Sequence, residues 1–125
     1  MQRLLLFLLL LAILIFLPIF LTKLYTEENH VEIKFSYCVP LIIRPKAIYY
    51  KNNHTLQIFV NKNCCNTYLS VETFDETIYI KEIKNGTICR CFCTAIVNVI
   101  SNRQWKNIYF EDFTGERIKI NILYK

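Results

Sequence analysis

The stretch that decides the fold is Thr87-Ile88-Cys89-Arg90-Cys91-Phe92-Cys93-Thr94-Ala95-Ile96-Val97-Asn98-Val99-Ile100-Ser101. Its odd positions from Cys89 to Val99 are cysteine, alanine or valine. The even positions, Ile88, Arg90, Phe92, Thr94, Ile96 and Asn98, are mixed. A period of two rich in β-branched residues predicts a strand with one face in a core. The same period recurs on either side. Val31, Ile33, Phe35 and Tyr37 alternate with Glu32, Lys34 and Ser36, and Leu56, Ile58 and Val60 alternate up to the polar stretch Asn61-Lys62-Asn63. Lys46 to Lys51 is a short aromatic strand after the turn-prone Arg44-Pro45. Tyr68 to Phe74 and Thr77 to Lys84 form a hairpin around Asp75-Glu76, and Asn85-Gly86 is a turn. Ile108 to Phe110 is another short strand, and Ile118, Ile120, Ile122 and Tyr124 share one face of a last strand beyond Gly115. Seven or eight short strands at a spacing of roughly 8–12 residues predict an all-β fold, a small antiparallel sandwich of immunoglobulin-like type.

The first two dozen of the 125 residues differ from all of this. From Leu4 to Leu21 every side chain is Leu, Ile, Phe, Ala or Pro. As a helix this run is just long enough to cross the roughly 30 Å apolar core of a bilayer. Pro18 loosens its last turn. Arg3 precedes the run and Glu27-Glu28 follow Lys23, a bias that puts the N-terminus in the cytoplasm and the rest outside. A cleaved signal peptide followed by secretion is the alternative, but Leu21-Thr22-Lys23-Leu24-Tyr25 lacks the small residues of a cleavage site. The expected organisation is a signal-anchor transmembrane helix over 1–24, a short stalk over 25–30, and a cysteine-rich β-sandwich over 31–125. About a hundred residues suffice for one modest core.

Cys38, Cys64, Cys65, Cys89, Cys91 and Cys93 all fall in the exported part, where an even count marks a disulfide framework. Residues two apart in a regular strand have Cα atoms about 6.6 Å apart with parallel side chains, near the upper limit for a bridge. Cys89, Cys91 and Cys93 are therefore expected to take partners from Cys38, Cys64 and Cys65, as bridges between the sheets on the core face. Cys64 and Cys65 reach one core together only from a turn or bulge, and a vicinal bridge between them is a further possibility. Two other chemistries remain open. One is a zinc or copper site formed by Cys64, Cys65, Cys89, Cys91 and Cys93; the other is a redox-active thiol set.

The pairing of Asn63-Cys64-Cys65 with Cys89-Arg90-Cys91-Phe92-Cys93, within Thr55 to Ile100, resembles an uncharacterised prokaryotic family of small secreted or membrane-tethered β-sandwich domains. The resemblance implies fold and cysteine pairing and carries no activity. The glycine-free break Asn102 to Lys106 and the late Gly115 depart from the family's pattern, which bears on the register of the last hairpin.

Asn53-His54-Thr55 and Asn85-Gly86-Thr87 fit the N-x-[ST] glycosylation pattern, so Asn53 and Asn85 are candidate acceptors. Trp105, between Arg103 and Lys106, reads either as sheet packing or as an exposed anchor for a partner. His30 and His54 have no ligand spacing. With Arg3 and Lys23 set aside, 13 basic residues face ten acidic ones, scattered without a dense patch, which argues against a nucleic-acid partner. Two glycines are too few for a phosphate loop, and no GxSxG or HExxH is present. Asp75-Glu76 and Glu111-Asp112 read as turn residues, so no enzyme is expected. The sequence leaves the function undetermined among three expectations. The first is a structural or interaction module of the cell envelope, anchored in lipid through Leu4 to Leu21 and contacting an envelope protein or surface polymer. The others are a metal- or thiol-redox protein and an accessory subunit of a membrane complex.

Overall fold

The computed structural model of the chain describes residues 1–28, 30–39 and 43–125, with the side chains of 26–28 left aside. The chain divides into two compact units, Met1–His30 and Val31–Lys125. The first is a single helix, α1 (Gln2–Glu28), whose apolar side chains are exposed throughout. Gln2–Tyr25 is long and apolar enough to cross a membrane. Pro18 lies well inside α1 rather than in its last turn, and the helix continues through most of the expected stalk. Asn29 of that stalk lies outside the described residues.

The second unit, Val31–Lys125, is all β. Among the described residues its nine strands are β1 (Val31–Val39), β2 (Lys46–Tyr50), β3 (Thr55–Asn63), β4 (Thr67–Phe74), β5 (Thr77–Lys84), β6 (Phe92–Ser101), β7 (Asn107–Glu111), β8 (Arg117–Ile120) and β9 (Ile122–Tyr124). They form a five-stranded sheet in the order β1-β6-β3-β2-β9 and a four-stranded sheet in the order β4-β5-β7-β8. The inward side chains of both sheets make one core. Leu56, Ile58, Val60, Ala95, Val97 and Val99 of the larger sheet meet Leu69, Ile78, Ile80, Ile108, Phe110 and Ile120 of the smaller. In β6 the apolar face read from Ala95, Val97 and Val99 is the buried one, as the alternation requires.

The sandwich is not purely antiparallel. β2 pairs with β9, and β5 with β7, in parallel. The reason is connectivity. The chain leaves β5 for β6 in the other sheet and then returns to β7, and two reversals restore the original direction. The expected last strand is likewise divided. Its alternation is continuous, but at Asn121 the chain passes from one sheet to the other, so Ile118 and Ile120 belong to β8 and Ile122 to β9. Hairpins close three neighbours, β2–β3 at His54, β4–β5 at Asp75 and β7–β8 at Gly115, each with its named residue at positive φ, while β1–β6 and β3–β6 are antiparallel pairs of strands distant in sequence.

Candidate functional site

The end of the sandwich that carries the β3–β4 and β5–β6 crossings collects all six cysteines. The β3–β4 crossing is only Cys64-Cys65-Asn66, and the β5–β6 crossing is 85–91. Two bridges tie these crossings together, Cys64–Cys91 and Cys65–Cys89, with Cα separations of 5.3 and 5.6 Å. A third, Cys38–Cys93, joins neighbouring strands of the five-stranded sheet at 4.7 Å. Each of the three later cysteines is thus joined to one of the three earlier ones, and Cys64 and Cys65 sit in a turn rather than bonding each other.

The bridges do not span the core as expected. β6 begins only at Phe92, so Cys89 and Cys91 lie in irregular chain; Cys93 is buried, Cys89 half-buried and Cys91 exposed. Cys38 required a device that the alternation hid. By strict period two it would share the outer face of β1 with Glu32, Lys34 and Ser36. A bulge between Ser36 and Val39, with Cys38 at φ 54°, turns it towards Cys93 instead. All six sulfurs are committed to bridges, so none of the five cysteines considered for zinc or copper carries a free thiolate.

Polar residues knit this end together. Asn63 is fully buried; its Nδ2 donates to the Cys89 carbonyl at 2.5 Å, and its Oδ1 accepts from the Cys65 amide at 2.9 Å. Its own amide donates to Glu82 Oε1 at 2.6 Å, and its carbonyl accepts from Lys62 Nζ at 2.6 Å and Thr67 Oγ1 at 3.0 Å. One asparagine therefore fixes both crossings, which is the physical meaning of Asn preceding Cys-Cys. Lys62 and Glu82 are 3% and 2% exposed, whereas the sequence placed Lys62 in a polar stretch ending its strand. Burial pushes the Lys62 ammonium below its ordinary pKa, and the charge of Glu82 works in the opposite direction. The ammonium also lies 5.4 Å from the centre of the Tyr37 ring. Across the crossings, Asn66 Nδ2 donates to the Thr87 carbonyl at 2.7 Å. Gly86, at φ 130°, packs so close to Asn66 that a Cβ would come within 3.0 Å of its Cγ.

The outer face of the four-stranded sheet is a second, chemically distinct surface. Tyr79 and Tyr109 are register partners whose rings stack at 5.6 Å. Beside them Glu111 pairs with Arg117 at 3.0 Å and Lys81 at 3.5 Å. The hydrogen bond from Arg117 holds the Glu111 carboxyl below its usual range. Together with Ser70 and Glu72 these residues line a groove of about 490 Å³. A larger hollow of about 630 Å³ lies at Tyr49, His54, Trp105 and Tyr124. Trp105 forms part of its floor and is 4% exposed, so it packs in the core and is no exposed anchor.

The other candidates are placed plainly. Asn53 and Asn85 are both exposed, in the β2–β3 turn and the β5–β6 crossing. His30 and His54 are exposed and far apart in sequence; Nδ1 of His54 lies 3.3 Å from the Tyr49 hydroxyl. The paired carboxylates are occupied structurally. Glu76 meets Lys106 at 2.9 Å, and Asp112 Oδ1 accepts from the Thr114 and Glu116 amides at 2.9 and 3.0 Å. Comparison with family models, curated proteins and solved structures finds no match to this chain.

Proposed function

We propose that the protein is a single-pass membrane protein, with α1 as an uncleaved anchor, the N-terminus cytoplasmic and the Val31–Lys125 sandwich outside, where it serves as an interaction module of the cell envelope. The observation that carries this reading is the combination of a fully exposed apolar helix with three disulfides in a domain of under a hundred residues. Bridges of this density belong to oxidising compartments and stabilise small cores. Arg3 before the helix and Glu27-Glu28 after it favour the same orientation.

The contact surface assigned to the module is the outer face of the four-stranded sheet. Tyr68 and Phe74 are exposed, and the outward side of β4 continues into the stacked Tyr79–Tyr109 pair and the Lys81–Glu111–Arg117 cluster. Aromatic bodies carrying hydroxyls, set among charges, suit a hydroxyl-rich surface polymer. Impermeant biotinylation of lysines in intact cells tests the topology: Lys81 and Lys119 label if the sandwich is outside, and labelling only after lysis refutes it. Co-sedimentation with isolated envelope polymer tests the surface. The wild type pellets and a Tyr79→Ala/Tyr109→Ala variant stays in solution; equal pelleting of both removes the tyrosine face from the proposal.

A further inference from the structure

Two of the three bridges are neighbours in space. The sulfurs of Cys38, Cys64 and Cys93 all lie within 4.8 Å of one another, although Cys38 and Cys93 form one bridge and Cys64 belongs to the other. The four residues also differ in access. Cys38 and Cys91 are exposed, Cys64 is half-buried, and Cys93 is 8% exposed. The cluster therefore runs from an exposed cysteine, through two inner ones, to a second exposed cysteine. The Cys65–Cys89 bridge lies outside it and ties the crossings independently.

We propose that Cys38–Cys93 and Cys64–Cys91 form a thiol–disulfide exchange relay that accepts an external thiolate at Cys38 and presents a thiol at Cys91. The external thiolate attacks the exposed Cys38 sulfur. A mixed disulfide forms there, the Cys38–Cys93 bond breaks, and the electron pair leaves on Cys93. The Cys93 thiolate then attacks the Cys64 sulfur. A Cys64–Cys93 bond forms, the Cys64–Cys91 bond breaks, and the electron pair leaves on Cys91, which takes a proton from water. Two disulfides and one thiolate enter, and two disulfides and one thiol leave, so no separate oxidant or reductant is consumed.

The surroundings suit each step. Lys62 is the cross-strand partner of Cys93, which sets a basic side chain on the same face of the sheet as the sulfur where the inner thiolate forms. At the exit, Cys91 lies between Arg90 and Phe92, both exposed. The guanidinium favours a reactive thiolate, and the ring offers apolar contact to a polypeptide. The chemistry requires only a thiol, which a small molecule or an unfolded polypeptide can supply.

The test uses the full-length chain in detergent, oxidised throughout. It is mixed with reduced glutathione or with an unstructured single-cysteine peptide, then quenched with acid and N-ethylmaleimide and mapped without reduction. The relay gives the adduct on Cys38, maleimide on Cys91 and a Cys64–Cys93 cross-linked peptide. Reaction with glutathione alone assigns the site to small thiols, and reaction with the peptide extends it to polypeptides. Maleimide on Cys93 with Cys64–Cys91 intact overturns the proposal, as does inertness to both reagents. A Cys38→Ser variant asks the same question without any added thiol: label on Cys91 supports the relay, and label on Cys93 sinks it.

Discussion

Replacing Asn63 with alanine isolates the residue on which the cysteine-rich end depends. The substitution removes the donor to the Cys89 carbonyl and the acceptor of the Cys65 amide. It leaves two backbone groups, on the half-buried residues Cys65 and Cys89, without these partners. A buried group left unpaired costs about 1–3 kcal/mol, and half-burial puts the expected loss for the two at the lower end, about 2 kcal/mol. Against a total of about 5–15 kcal/mol for a domain, that is a substantial fraction. All three bridges remain, so the loss belongs to the hydrogen bonds and not to a missing cross-link. The assay is urea unfolding of the oxidised protein, followed by Trp105 fluorescence. With a slope of about 1–3 kcal/mol per molar, the midpoint falls by about 1 M. Asn66→Ala is the matched control. Its side chain makes one bond, to the Thr87 carbonyl, from an exposed position, and about 1 kcal/mol or less is at stake. Equal midpoints for the two variants would refute the assignment of Asn63 as the organiser of the crossings.

Three further outcomes are expected. Replacing Cys64, Cys65, Cys89 and Cys91 together with alanine removes both bridges that close the segment between the crossings, the outer one with a sequence separation of 27; it costs about 3 kcal/mol in thermal or urea unfolding, and an unchanged midpoint would contradict the bridges' role. Glu111→Gln lowers the melting temperature at neutral pH and makes no difference in strong acid. The folded carboxyl is held below its ordinary pKa, so its contribution is present above the unfolded value and disappears as pH falls through the folded one; a difference that persists in strong acid would refute this. Trp105→Ala removes a buried ring from the core and costs about 3–5 kcal/mol in urea unfolding, whereas an unperturbed variant would mean that the indole is not packed there.

Alternation exposed most of the fold because a strand with one buried face must carry it. β1, β3, β5 and β6 could all be read from spacing alone. What alternation cannot reveal is which sheet a strand joins. The run from Ile118 to Tyr124 keeps its period straight through Asn121 while changing sheets, and the parallel pairs follow from such crossings. The pairing of later with earlier cysteines was legible from a distance limit on residues two apart. Its location was not. Cys38 turns towards Cys93 through a bulge that no neighbouring residue announces, and Thr87 to Cys91 read as strand because an isoleucine and two cysteines mimic the period. Lys62 and Asn63 looked like a solvated strand end for a similar reason. Their burial depends on Glu82 and the two crossings, which are distant in sequence and meet only in the folded chain.

The Cys38–Cys93 bridge also governs how the domain bears load. Any pull transmitted from α1 enters the sandwich at Val31, the first residue of β1. That strand is held to β6 along its length by backbone hydrogen bonds, which break one after another under tension. Only the seven residues Val31 to Tyr37 can be drawn out before the force reaches Cys38, a slack of about 25 Å at full extension. Beyond that point the tension runs through a covalent bond directly into β6, beside the central strand β3. The bridge therefore works as a mechanical stop. A pull on α1 can strip one edge strand while the other described strands stay packed.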